Sequence, residues 1–338
     1  MQSILNSSEL YFLIFPILIL ITIGLKGKLD YYFCVVICIY LFLGCAFRKG
    51  GYDWENWIRG EEMIGNLIQN GDLLSGFLLS KDPFWFLIIF LNKIFFDLEN
   101  GAIYLICFLS ILIKIFSIHN WPRGRSFFIA VYGFLLSPTL EFSAMRSALA
   151  IAFLLLSISI VSKKKSYFFY ICSILSHQSL MVTYINKLYN CKTMLRWLLY
   201  LLFLIIVSFF ISDYLSLFTF RAEDYIDKKG TIYAIIFPLT TFIVALTLIT
   251  NKYYFKNDIY KLLMTIYAIS LGLSYPNVGV SHRVLEIGWV LHLYFLCTIL
   301  FNCSNFINKK GLILNFILLI IILFLRRVLE HDFSHVNF

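Results

Sequence analysis

The sequence predicts an all-α polytopic integral membrane protein, and three observations predict it. First, 60% of the 338 residues are hydrophobic and only 14% are charged, with a mean hydropathy of +0.84. A soluble fold of this size keeps a large polar exterior, so it has no place for that much apolar surface. Second, apolar runs approaching the ~20 residues that a helix needs to cross a bilayer follow one another along the chain. Third, the basic residues are sorted. Loops 26–30, 114–125, 163–165, 187–196, 252–261 and 309–310 hold sixteen of the 28 basic residues and only two of the 19 acids, Asp30 and Asp258. Loop 48–83 instead sets four basic residues against six acids. Basic loops stay cytoplasmic, so the net charge of +9 is a topology code and not a nucleic-acid-binding patch.

The runs fall near 8–25, 31–47, 101–118, 126–140, 142–162, 195–212, 232–250, 260–277, 283–302 and 311–326. The first lacks a basic stretch before it and a small-residue cleavage site after it, so it reads as a retained span and not as a signal peptide. Residues 84–97, FWFLIIFLNKIFFD, are shorter than a span and contain Lys93. If they crossed, loop 114–125 would land outside, so they read as an interfacial or re-entrant helix on the outer face. Residues 166–189 have the length to cross but are flanked by basic loops and hold Ser-His-Gln-Ser at 176–179. They read either as a broken, re-entrant element around His177 lining a cavity, or as a plain span with one misplaced loop.

The expectation is therefore about 10–12 transmembrane helices in one domain, 1–338. Residues 48–100 form an outer loop with interfacial or re-entrant helices, and 213–231 form a second, slightly acidic outer loop. Both termini and the loops 48–83, 140–146, 213–231 and 276–283 then lie outside the cytoplasm. The eight cysteines are scattered, mostly within spans, and no C-x-x-C pair occurs. Cys34 and Cys38 share a helix face, but two thiols make no zinc site, and they read as packing residues.

Ionisable groups at membrane depth are expensive and mark functional sites. Arg146 opens a span through Ser147, Ala148, Leu149 and Ala150, small neighbours that admit a close approach. Arg283 follows a Pro276–Asn277–Gly279 break, with His282 beside it and Glu286 three residues on. His177 lies in the suspected break, and Arg48 and Asp53 flank the pair Gly50–Gly51. Each has a structural alternative. An arginine at a span end can be a snorkelling anchor, and Arg283 can pair with Glu286. Asp53 can cap the helix that starts at Trp54. Trp54 and Trp57 can be interfacial belt residues. The charge-derived topology nevertheless maps all of them to the outer half of the membrane. There, two arginines can bind a diphosphate with forked hydrogen bonds. A carboxylate or histidine can take a sugar hydroxyl's proton, and aromatic rings offer sugars an apolar face. No Asp-x-Asp, Walker loop or His/Cys metal cluster is present, so the chemistry expected is metal-free and cofactor-free.

In order, the chain carries Gly51-x-Asp53-Trp54-x-x-Trp57, then Asp82-Pro83-Phe84, and Arg146 opening a span with Ala148, Ala150 and Ala152. His177-x-Ser179 and the late Arg283 follow. Over roughly residues 40 to 300 this resembles the EpsG-like branch of Wzy-type O-antigen and capsule polymerases. The resemblance implies a GT-C-like glycosyltransferase in the bacterial inner membrane with its site facing the periplasm. Such an enzyme moves a growing glycan from undecaprenyl diphosphate onto a lipid-linked repeat unit. It implies Arg146, Arg283 and Arg48 as diphosphate ligands, with Trp54, Trp57 and Glu286 toward the sugar. The proton acceptor is His282, ahead of Asp53, which positions the acceptor, with His177 and Glu286 behind. The implied partners are undecaprenyl-diphosphate-linked oligosaccharides, membrane lipid, a chain-length regulator and a flippase. Trp54 and Trp57 stand where tyrosine is common, and Ser147 where glutamine is common. A flippase or exporter of the same lipid-linked glycans, an O-antigen ligase and a membrane acyltransferase are the alternative readings.

Overall fold

A computed structural model describes residues 7–48, 53–80, 82–185, 193–211, 232–250, 254, 256–302 and 309–329. Loop 213–231, the pair Gly50–Gly51, most of loop 187–196 and both chain ends fall outside the described residues. The described residues are helical, apart from turns and one isolated bridge between Lys26 and Arg123.

In chain order the helices are α1 (Ser7–Thr22), α2 (Gly27–Phe47), α3 (Trp54–Gln69), α4 (Leu73–Ser80) and α5 (Pro83–Leu91), which runs on into a π turn, Asn92–Phe96. Then come α6 (Gly101–Ile118), α7 (Arg125–Leu135), α8 (Met145–Ser159) and α9 (Lys163–Ser176), the last followed by a 3-10 turn, Gln178–Tyr184. They continue as α10 (Met194–Ile211), α11 (Ile232–Leu246), α12 (Asp258–Leu273), α13 (Val278–Asn302) and α14 (Lys309–Leu329). Of these, α2, α6, α10, α13 and α14 are long and apolar enough to cross a membrane by length and composition, and several more are apolar but shorter. Large apolar side chains stand exposed along their outward faces, such as Val36 and Ile39 on α2, Leu199 and Phe203 on α10, and Ile313 and Leu314 on α14. Facing water, such faces would be a liability; facing lipid they cost nothing. The chain is a multi-pass membrane protein.

The chain divides into two compact units, residues 1–178 with 327–338, and residues 179–326. In the first, α1 and α2 clasp each other. Tyr11 and Tyr40 stack at 4.5 Å, and each hydroxyl donates to the other's backbone carbonyl at 3.0 Å. The Tyr11 ring lies on Gly44, where any Cβ would meet it at 2.3 Å. Asp30, expected in a cytoplasmic basic loop, is instead buried in the first turn of α2. It accepts the amides of Arg125 (3.1 Å) and Ser126 (3.0 Å), so it caps α7 from a distant part of the chain. Helix α8 is buried almost throughout, with Ala148, Ala150 and Ala152 at 0% exposure. Those small side chains let α6 and α9 approach on either side: Lys114 of α6 reaches the Ala148 carbonyl, and Ser173 of α9 reaches that of Ala150.

Two expected spans, 126–140 and 142–162, are corrected. Helix α7 stops at Leu135 and α8 starts at Met145, and residues 136–144 between them are a buried series of turns. Pro138 has no N–H and restricts the residue before it. Ser137 and Thr139 return their hydroxyls to the Gly133 and Leu136 carbonyls. Lys114, expected in a basic cytoplasmic loop, lies inside α6 and is 1% exposed. Residues 84–97 do form a short helix with an irregular end, and the 166–189 stretch does break at His177, whose backbone is extended. The helices expected within 48–100 are α3, α4 and α5.

In the second unit, α12 packs between α10 and α13 through glycines. A Cβ on Gly272 would meet the Ile205 carbonyl oxygen at 2.4 Å, and one on Gly288 would meet the Tyr267 ring at 2.4 Å. Asn257 caps α12 by accepting the Ile259 and Tyr260 amides. His292 bridges Tyr267 on α12 (3.1 Å) and Asn315 on α14 (2.8 Å), while Asn315 donates to Val244 and Thr247. Backbone cannot retreat as a flexible side chain can, so Gly272→Val should overpack the α10–α12 seam and cost about 1–3 kcal/mol. Gly60→Ala, with nothing within 4 Å of the new methyl, should be neutral or stabilising. Thermal unfolding of the purified protein in detergent checks both. Equal midpoints for the two variants would contradict the packing described.

Candidate functional site

In the first unit, charged residues gather where α2 ends, α3 and α5 begin, and the 136–144 segment leads into α8. At the base, Lys114 Nζ pairs with Glu141 Oε1 at 2.7 Å, both essentially unexposed. Ser110 (3.1 Å) and Tyr132 (2.9 Å) donate to the same carboxylate oxygen, and Lys114 also donates to Ser110 (2.7 Å) and the Ala148 carbonyl (3.1 Å). One oxygen thus takes three donors, and these bonds offset part of the cost of burying the pair.

Above this pair, Arg48 is 1% exposed. Its Nη1 donates to the carbonyls of Glu141 (2.8 Å) and Cys45 (3.2 Å), and its guanidinium lies 5.0 Å from the Trp54 ring and 5.4 Å from that of Phe142. Arg146, in the first turn of α8 and 9% exposed, is held in a parallel manner. Its Nη1 lies 2.6 Å from Asp82 Oδ2, and its guanidinium covers the Trp57 ring at 4.8 Å. Asp82 precedes Pro83 at the start of α5, so proline geometry sets where the carboxylate stands. Trp54 and Trp57 are one turn apart on α3, so each offers its ring to one arginine. Arg327 donates to the Leu135 carbonyl and, at 2.8 Å, to Thr139, which ties down the start of the same segment.

Several expectations change on this geometry. Trp57 is 6% exposed; its indole N–H donates to the Ser143 carbonyl (2.9 Å) and its ring meets Trp85 edge-on at 5.0 Å. It is a wall for Arg146 and has no open face for a sugar. Trp54 remains half-buried. Asp53 occupies the N-cap position of α3 but makes no capping hydrogen bond with its side chain; Ser143 Oγ stands 3.5 Å from its Oδ2. Arg48 is enclosed by its two rings, and its Nη1 ties the end of α2 to the 136–144 segment, while its Nε and Nη2 are buried without a hydrogen-bond partner.

The antiparallel register of α8 and α9 locates His177. Ser166 bonds the Ser157 carbonyl (2.7 Å) and Ser173 that of Ala150 (2.8 Å), two contacts on one register. Carried four residues further, that register sets His177, half-buried, level with Arg146.

In the second unit, α13 is continuous from Val278, with Asn277 accepting the Val280 amide (3.1 Å) at its start. The break therefore precedes His282 and Arg283 and does not bend the chain between them. Their side chains leave the helix about 100° apart. Glu286 is 3% exposed and lies between Arg283 (3.3 Å) and Arg326 (3.7 Å), so it neutralises guanidinium charge and is not open to sugar. Arg326, missed because it closes an apolar run, also covers Trp289 at 4.5 Å. Lys114 and Glu141 were missed as well: 27 positions separate them, and only the fold makes them partners.

The fold is that of a polytopic helical membrane protein whose arginines are held inside it by tryptophans and carboxylates. The chain belongs to the EpsG family, whose family model matches residues 31–336. A search of the curated proteins and one of the solved structures each returned no match.

Removing one partner of a buried pair leaves the other charge uncompensated. Lys114→Met and Glu141→Leu should thus each destabilise by about 3–5 kcal/mol, while the double variant Lys114→Met/Glu141→Leu recovers much of the loss. Unfolding measurements forming a double-mutant cycle test this, and simple additivity would refute the pairing.

Proposed function

We propose that this EpsG-family protein is a polysaccharide polymerase. It transfers a growing glycan from undecaprenyl diphosphate to a hydroxyl of a lipid-linked repeat unit, on the periplasmic face of the inner membrane. Membership in the EpsG family supports the general class of activity, polymerase-like work on a polysaccharide. The observation that carries the rest is Arg146, held at the first turn of α8 by Asp82 and by the Trp57 ring.

In the transfer, the bond between the donor's anomeric carbon and the diphosphate oxygen breaks as the acceptor hydroxyl attacks. Negative charge grows on the leaving diphosphate, and a pre-oriented guanidinium at that point stabilises the transition state more than the ground state. Asp82 fixes the fork of Arg146 and must share it with the arriving phosphate. The acceptor's proton passes to a base. His177, level with Arg146 in the same unit, is the group we assign, with Asp53 orienting the hydroxyl. Because the Arg146 guanidinium neutralises charge on the leaving group, the step needs no divalent metal.

Arg146→Ala should lower transfer by at least about a hundredfold with protein still in the membrane, and Arg146→Lys should recover little, because a point charge lacks the planar fork. Asp82→Asn should fall between them, and His177→Gln should be strongly impaired. The assay uses purified protein, lipid-linked repeat units and excess chelator. Normal polymer from Arg146→Ala would return that arginine to a structural role, and a rate restored only by magnesium would overturn the metal-free step. In cells, loss of the protein should leave single repeat units in place of a ladder; complete loss of surface glycan would mean a flippase.

The periplasmic placement rests on the sorting of basic residues. Single cysteines placed at the exposed Glu55 or Asp72 should react with an impermeant maleimide on intact cells, and one at Lys164 should not. The reverse pattern would put the Arg146 cluster on the cytoplasmic side and end this reading.

A further inference from the structure

A cavity of about 300 Å³ opens beside the tryptophan face of α3, between that helix, the π turn 92–96 and the start of α6. Its α3 wall is Ile58, Glu61 and Glu62, and Leu98 and Glu99 face it from the turn before α6. The volume is at the small end for ligand pockets, about 300–1,000 Å³, and suits a small saccharide.

Glu61 is the unusual wall residue. It is 4% exposed, and its Oε1 accepts the Ala102 amide (2.9 Å) and Asn92 Nδ2 (3.1 Å). Asn92 is itself pinned, because it sits against Gly101, where any Cβ would overlap it, and donates to the Leu98 carbonyl (2.9 Å). The carboxylate is therefore locked in place, yet its Oε2 is buried without a hydrogen-bond partner. An acceptor left in that state gains by receiving a donor from a ligand. Burial raises the pKa of this carboxyl, against the pull of the Ala102 and Ile103 amides and Lys93.

The surroundings select the donor. Lys93 and Asp97 pair at 3.0 Å, and the other ionisable wall groups, Glu61, Glu62 and Glu99, are all acids. A diphosphate or an acidic sugar is repelled. Among the described residues no three His, Cys, Asp or Glu side chains converge to hold a metal ion, which leaves the carboxylates as hydrogen-bond acceptors. Ile58 and Leu98 supply an apolar surface for the C–H face of a ring. We infer that this cavity is a subsite for a neutral or amino-bearing sugar of the repeat unit, with Glu61, Glu62 and Glu99 receiving its hydroxyl or ammonium donors. The inference rests on the proposed polymerase reading and deepens it, since it separates the place that holds sugar from the arginines that hold phosphate.

The test uses full-length protein in nanodiscs. The probe is the repeat-unit oligosaccharide released by mild acid from lipid-linked material of cells lacking the protein. Wild type should bind this phosphate-free probe. Glu61→Gln, and separately the exposed pair Glu62→Gln/Glu99→Gln, should each weaken binding about tenfold. Arg146→Ala should bind it as wild type does. Absence of binding to wild type, or equal binding by the double variant, overturns the subsite. Binding that requires added calcium also overturns it, as the mark of a metal site. Sugar binding lost in the glutamate variants while Arg146→Ala still makes normal polymer would uphold the subsite and sink the polymerase mechanism instead. Arg146-dependent polymer without probe binding would do the opposite.

Discussion

The first unit depends on one buried ion pair, Lys114 with Glu141. Residues 136–144 are irregular backbone inside a helical bundle, a place where unsatisfied amides and carbonyls are most costly. The segment persists because side chains from elsewhere meet it. Lys114, Ser110 and Tyr132 take the Glu141 carboxylate, Arg48 its carbonyl, Trp57 the Ser143 carbonyl, and Arg327 the stretch near Leu135 and Thr139. Without this segment α7 would run on, and Arg146 would not stand at a helix start facing Asp82.

That hierarchy explains why two arginines and two tryptophans, similar on paper, do different work. Arg48 gives its Nη1 to two carbonyls and its face to two rings, so it ties the irregular segment to the end of α2. Arg146 has a carboxylate across from it and an aromatic wall behind it, an arrangement that aims a guanidinium instead of consuming it. Trp57 and Trp85 form the wall, and α3 carries Trp57 into it because the helix starts where the chain leaves α2. In the second unit, the Arg283–Glu286–Arg326 chain uses the same vocabulary: one buried carboxylate shared by two guanidinium groups, one of which lies over a tryptophan.

Spans were legible wherever apolar length alone decides the matter. The runs at 31–47, 101–118 and 195–212 reappear as α2, α6 and α10 with small shifts at their ends. The break at His177 was legible from polar residues set between basic flanks. What could not be read was partnership. Lys114 counted as a loop lysine because a lone lysine near a span end snorkels, and only Glu141 opposite it keeps it inside. Asp53 reads as a cap by type and position, yet its side chain caps nothing, since capping also needs the right rotamer. Trp57 reads as interfacial because its burial is supplied by Trp85 and Ser143, residues far along the chain. Arg146 was legible as a special residue, but its dependence on Asp82 was not.

A carboxylate at 2.6 Å from an arginine proposed to bind phosphate looks like a waste of affinity, since the phosphate must share the cation. Under the proposed reaction it has a use. An unopposed guanidinium buried beside aromatic walls would hold the departing undecaprenyl diphosphate as firmly as the transition state, and the product would block the next cycle. Asp82 offers the arginine an alternative partner of fixed geometry, so the free state is satisfied and the diphosphate gains only the difference between the two pairings. On the proposed reaction, a catalytic guanidinium buried in the protein gains from a competing charge of the opposite sign, which Asp82 supplies to Arg146.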